Sequence, residues 1–200
     1  MTSSAQSFAE AERKEEARKR IAVLDAHRLI PQGTQEWLQA RRVLITASEV
    51  ASFLTHDETC AGEYVKEFGL EGTWKYSGRC ASPYDSGKQL IKRKRGVTGP
   101  MNGDNPFFNH GHLFEPVARN LYRKLNDMVE VKEYGLITSQ TIPWLGGSAD
   151  GVSADGVILE IKSPLVRDIS GNTAIPFHYW IQCEILMQVL QLPRVSKSDT

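Results

Sequence analysis

No uninterrupted apolar run in this sequence approaches the roughly 20 residues needed to span a bilayer. The N-terminus also lacks the hydrophobic centre of a signal peptide, so the chain is expected to be neither membrane-inserted nor secreted. An excess of charge of one sign is missing too, since Lys plus Arg and Asp plus Glu each number 24, for a formal net charge of zero. The broad basic field of many nucleic-acid binders is therefore absent, and any contact with a polyanion must be local. Cysteine is scarce: Cys60, Cys80 and Cys183 are far apart and form no CxxC pair. That argues against a zinc ribbon, an iron–sulfur site or a secreted disulfide framework, and for a reducing intracellular setting. Internal repeats and low-complexity tracts are lacking as well. What remains is an ordinary globular composition, 40% hydrophobic and 24% charged, in a length that suits one domain.

Residues 9–29 alternate acidic and basic side chains at helical spacing with few apolar positions before Ile21, and are read as a solvated N-terminal helix. The expected division is a charged extension over 1–30 and one domain over 31–200. Thr34 suits the N-cap of a short helix carrying Glu36, Trp37, Leu38 and Arg41. Thr46 with Glu49 makes a capping box that places Ser48 in a first helical turn. From 55 to 109 the pattern degrades to a stretch partly helical at best, and its basic run, Lys92 to Arg95, is read as a solvated loop rather than a grip on DNA. Phe114, Val117, Ala118, Leu121 and Leu125 then recur at helical spacing as one expected buried stripe, with Glu115 at its edge. Strand-like runs follow at 129–134, 136–142, 145–149 and 157–162, and an apolar helix over 179–190 is closed by Pro193. His110 and His112 lack a third ligand and are read as structural.

The chemistry concentrates in GGSADG, residues 146–151, followed by VILEIK, residues 157–162. Residues two apart share a strand face, so Glu160 and Lys162 point one way while Leu159 and Ile161 point into the core. A turn at Ala154-Asp155-Gly156 brings Asp150 alongside them. Two converging carboxylates repel, and an oxygen-seeking divalent cation, Mg2+ or Mn2+, is the usual remedy. Such a cation assists phosphodiester hydrolysis, with Lys162 suited to orient water and stabilise the transition state. By itself this pattern is common on solvent-exposed hairpins and does not select a function.

The surrounding motifs resemble the lambda exonuclease and YqaJ-type viral recombinase family of the PD-(D/E)xK nuclease superfamily. QEWLQARRVLITASEV is similar to that family's N-terminal motif, GHLFEPVARNLY to its acid-bearing helix, GGSADG with ILEIKSP to its core, and HYWIQ to its Y-x-x-Q helix. Together they cover roughly residues 32–192. The resemblance implies an α/β fold with a restriction-endonuclease-like core, a central mixed β-sheet flanked by α-helices. It implies metal ligation by Asp150, Glu160 and the Ile161 carbonyl, supported by Glu115, with Lys162 as the catalytic lysine, Gln182 beside the reacting strand, and Arg41 and Ser48 on substrate phosphate. The implied activity is a metal-dependent exonuclease on double-stranded DNA in viral or phage-type recombination and repair, acting inside an infected or host cell, in cytoplasm or nucleus. A single-strand annealing protein is the implied partner, and a homo-oligomeric ring is compatible with the family.

The sequence departs from the family pattern in two places: Val43 stands where Gly is common, and Glu184 where a second Gln is usual. The chain also ends soon after the Gln helix, so a C-terminally shortened domain is an expectation. A structure-specific endonuclease of the same fold, or a catalytically impaired DNA-binding module, stays open as an alternative.

Overall fold

In the computed structural model the described residues are 3–54, 82, 84–99, 106–164 and 176–199. Helix α1, Ser3–Asp25, is the expected charged helix, but it is not solvated all round. Ala17 and Leu24, two helical turns apart, are 4% and 2% exposed and share the core cluster of Ile158, Leu186 and Leu190. A seam this narrow leaves little trace in average composition, yet it is enough to dock a helix. Arg20 Nε donates to the Leu190 carbonyl at 2.6 Å, and Asp25 accepts from the Tyr134 hydroxyl at 2.8 Å.

Thr34 caps helix α2, Gln35–Val43, its Oγ1 accepting from the Trp37 amide at 3.2 Å. Strand β1, Ile45–Thr46, leads into a 3-10 helix over Ala47–Ser52. The expected box is formed there, with Glu49 Oε2 accepting from the Thr46 amide at 2.9 Å, although the turn it starts is the tighter type. Helix α3, Gly87–Lys94, occupies the ground read as a solvated loop, so Lys92, Arg93 and Lys94 are helical. Arg93 pairs with Asp85. Cys60 and Cys80 lie outside the described residues, and Cys183 is buried.

Helix α4, Pro106–Leu125, precedes five strands: β2, Val131–Lys132; β3, Ile137–Thr138; β4, Leu145–Gly147; β5, Gly151–Ser153; and β6, Val157–Lys162. Helix α5, Phe177–Leu190, and strand β7, Arg194–Asp199, follow. The strands form two mixed ladders rather than one, in the orders β1-β4-β3 and β2-β5-β6-β7. β1 runs parallel to β4, and β7 parallel to β6, while the other neighbours are antiparallel. The architecture is thus α/β with mixed sheets flanked by helices, as the sequence motifs imply. No helix among the described residues is long and apolar enough to cross a membrane.

Three differences from the sequence reading have physical causes. β7 lies beyond Pro193, where no element is legible. Its six residues, RVSKSD, hold one apolar side chain and so no strand periodicity, but they pair with β6 from Val157↔Arg194 to Lys162↔Asp199. The stripe on α4 is amphipathic but not buried: Ala118 is at 1% exposure, whereas Val117 is at 61% and Leu125 at 75%. Periodicity marks an apolar face and does not say what covers it. Finally, β6 is buried on both faces, so Glu160 is as enclosed as Leu159 and Ile161.

The turn joining β5 to β6 depends on Gly156, whose φ of +74° suits glycine, and a Cβ there would lie 2.5 Å from Ala17 Cβ. Gly156→Ala is therefore expected to destabilise the protein by roughly 1–3 kcal/mol. Gly111→Ala, within α4 and with no atom of the described residues within 4 Å of its added Cβ, is expected to be neutral or slightly stabilising. Thermal denaturation of the two variants checks the contrast.

Candidate active site

The β5–β6 hairpin explains the spacing of the acidic pair. Its register pairs Val152 with Ile158 and Gly151 with Leu159, so one further step sets Asp150 opposite Glu160. There the ladder is replaced by a side chain: Asp150 Oδ2 accepts from the Ile161 amide at 2.6 Å. A residue's N–H and C=O leave an antiparallel strand on the same edge, so the Ile161 carbonyl shares the Asp150 edge. β4 feeds this hairpin through Gly147, where a Cβ would meet Leu186 Cδ2 at 2.8 Å, so glycine lets the strand run directly beneath α5.

Glu160 is 1% exposed. Its Oε1 accepts from Lys162 Nζ at 2.5 Å and from Gln182 Nε2, on α5, at 2.6 Å. Its Oε2 is buried without a hydrogen-bond partner among the described residues. Burial, reinforced by the negative charges of Asp150 and Glu115 and opposed by Lys162, pushes the Glu160 carboxyl up to about 7. Asp150 is raised in the same sense by burial, against the pull of Lys162 and the Ile161 amide. Burial alone would lower the Lys162 ammonium, but the Glu160 and Asp150 carboxylates outweigh it and hold the group above its ordinary value. Lys162 Nζ also lies 4.9 Å from the centre of the Tyr179 ring.

Glu115 projects from α4, half-buried, and accepts from Arg119 Nη2 at 2.6 Å; Arg119 also pairs with Glu133. Burial and then Asp150 raise the Glu115 carboxyl, and Arg119 opposes them. Arg41 and Ser48 stand in an adjoining cluster. The Arg41 guanidinium lies 4.4 Å over the Trp37 ring and donates through Nη2 to Thr46 Oγ1 at 3.1 Å. Ser48 is exposed, its Oγ 3.3 Å from the same Thr46 hydroxyl. Trp37 Nε1 donates to Ser148 Oγ at 3.0 Å, two residues before Asp150, and so ties this cluster to the hairpin.

The structure thus bonds Asp150 to Ile161, and Glu160 to Lys162 and Gln182, at one strand end, couples Glu115 to them by charge, and links Arg41 to the hairpin through Trp37, with Ser48 beside Thr46. Sequence reasoning did not assign Arg119, although its i+4 spacing from Glu115 is a legible pairing. Ser148 and Lys94 carry no comparable signal. His112 Nδ1 approaches Glu115 at 3.9 Å and His110 packs on Phe114.

The donors fit an oxygen-ligated divalent cation. A buried, unpartnered carboxylate oxygen on Glu160 beside two further acids that repel it is a chemical need that such an ion meets. Among the described residues no three Asp, Glu, His or Cys side chains already form a closed cage. The holders would therefore be Asp150, Glu160 and the Ile161 carbonyl, with Glu115 near the rim.

Two solved structures share this fold. The alkaline exonuclease of Laribacter hongkongensis superposes with a TM-score of 0.52 at 24% identity, over 83% of this chain and 74% of that one. The same enzyme in complex with dAMP gives 0.55 at 24% identity, over 83% and 73%. An uncharacterized protein of Acanthamoeba polyphaga mimivirus is 25% identical over 87% of this chain, which spans only 30% of that relative's length. The model of the YqaJ-like viral recombinase domain matches residues 36–192, a span that holds the whole acidic hairpin, Glu115, Lys162 and Gln182, and the chain belongs to that family.

Proposed function

We propose that residues 31–200 act as a divalent-metal-dependent nuclease domain that hydrolyses double-stranded DNA from an end during viral or phage-type recombination. The observation that carries this reading is the Asp150–Glu160–Lys162 set, with Glu160 buried and one of its carboxylate oxygens unpartnered among the described residues. The family's description as a viral recombinase and the alkaline exonuclease fold support it. Mg2+ or Mn2+, when bound, would polarise the scissile phosphate and neutralise developing charge. The chain's own residues then have distinct tasks. Gln182 pins Glu160 Oε1, the Ile161 amide fixes the Asp150 rotamer, and Arg119 holds Glu115. Lys162 offers its ammonium to the attacking water and to the charge that grows on phosphorus-bound oxygen. Arg41 and Ser48 hold a substrate phosphate beside the hairpin.

The test is nucleotide release from linear and from closed circular duplex DNA, each with Mg2+, Mn2+ or EDTA. Metal-dependent loss of the linear substrate alone is expected. Cleavage of circles would replace the exonuclease with a structure-specific endonuclease, and binding without cleavage would point to an impaired DNA-binding module. Arg41→Ala is expected to weaken binding of duplex DNA about tenfold and to reduce the slope of log K against log salt by about 1, read by fluorescence anisotropy. A single-strand annealing partner and a ring of copies complete the proposal; light scattering with and without DNA tests the ring.

A further inference from the structure

The Arg41 cluster contains a cation that the proposed function has not used. Lys94, the last residue of α3, has a side chain only 11% exposed. Its Nζ donates to Glu49 Oε2 at 2.8 Å and to the backbone carbonyl of Arg41 at 2.7 Å. Glu49 Oε2 also accepts from the Thr46 amide at 2.9 Å. The other Glu49 oxygen lies 3.7 Å from Arg41 Nη2, an ion pair longer than a direct hydrogen bond. Two cations therefore share one carboxylate, and the nearer is Lys94. The Arg41 guanidinium, stacked on Trp37 and bonded to Thr46 Oγ1, thus has only a shared, loosely held counter-charge beside the Ser48 hydroxyl.

A partly buried network with surplus positive charge is incomplete until an anion joins it. Resting on the proposed phosphate role of Arg41, we infer that Lys94 is a positioning residue which engages Glu49 and the Arg41 carbonyl, so that the Arg41 guanidinium stays available to a DNA phosphate. Without the lysine, Glu49 is free to tighten its loose 3.7 Å ion pair with Arg41 into a hydrogen-bonded one. The guanidinium is then neutralised from within.

The experiment measures equilibrium binding of a short labelled duplex carrying terminal phosphates, in EDTA, so that no turnover is required. Lys94→Met is expected to raise Kd about tenfold, Lys94→Arg to stay within about threefold of the parent, and Lys94→Met with Glu49→Gln to recover most of the loss. The recovery separates this role from a structural one, because a neutral glutamine cannot capture Arg41, whereas a lost tie between α3 and α2 would persist in the double variant. An unchanged Kd in Lys94→Met, or a defect that Glu49→Gln leaves in place, overturns the inference. If Arg41→Ala itself leaves Kd unchanged, the phosphate reading fails first and this inference falls with it. A weakened Arg41→Ala beside an unaffected Lys94→Met sinks the lysine role alone.

Discussion

Lys162→Met is expected to slow nucleotide release from linear duplex DNA by about a thousandfold, the scale of losing one preorganised electrostatic group. DNA binding in EDTA should change far less. Lys162 is held 2.5 Å from Glu160 Oε1 at the end of a strand that pairs with β7 and buries the preceding Ile161, so its ammonium is in place before substrate arrives. Placement without reorganisation is what makes a charge effective in a water-poor site. The variant also removes the cation that opposes the upward shift of Glu160, so a higher pH optimum of any residual activity should accompany the loss. Retention of more than a tenth of the parent rate would remove Lys162 from the reaction and would favour a site in which the cation alone handles charge.

In metal-free buffer the folded protein should lose thermal stability as pH rises from about 5 to about 8, by several degrees in Tm. An unfolded glutamate ionises near 4.3, whereas burial pushes folded Glu160 up to about 7. Between these values the native state holds a proton that the unfolded chain has lost, so stability falls with rising pH and the slope ends once Glu160 is ionised in both states. Asp150 and Glu115 are shifted in the same direction and steepen the fall. Glu160→Gln should flatten the profile, and Mg2+ or Mn2+ should restore stability at the alkaline end by binding the native carboxylates in preference to the unfolded ones. A flat profile for the parent protein in EDTA would contradict the electrostatic account of the site. The same scan in the presence of metal tells whether the cation or the protein's own cations relieve the repulsion.

The hairpin was legible because its signals are local. Ala154-Asp155-Gly156 bounds two short runs, strand alternation puts Glu160 and Lys162 on one face, and the register then carries Asp150 to Glu160. Thr34 and Thr46 were legible as caps for the same reason, their partners being three residues away. α4 shows where this kind of reasoning stops. Its period of apolar residues is real, but Ala118 is what it buries, while Val117 and Leu125 face outward among the described residues.

What the sequence by itself determined, then, is the local chemistry: which residues are acids, which strand and turn carry them, and which helices have caps. Only the tertiary structure decided that Glu160 is sealed with one oxygen unpartnered, that Lys94 and Arg41 divide Glu49, that α1 docks through Ala17 and Leu24, and that β7 closes the second ladder. Each of these joins residues distant in the chain, where backbone pairing, burial and charge balance act between partners that periodicity and spacing do not identify.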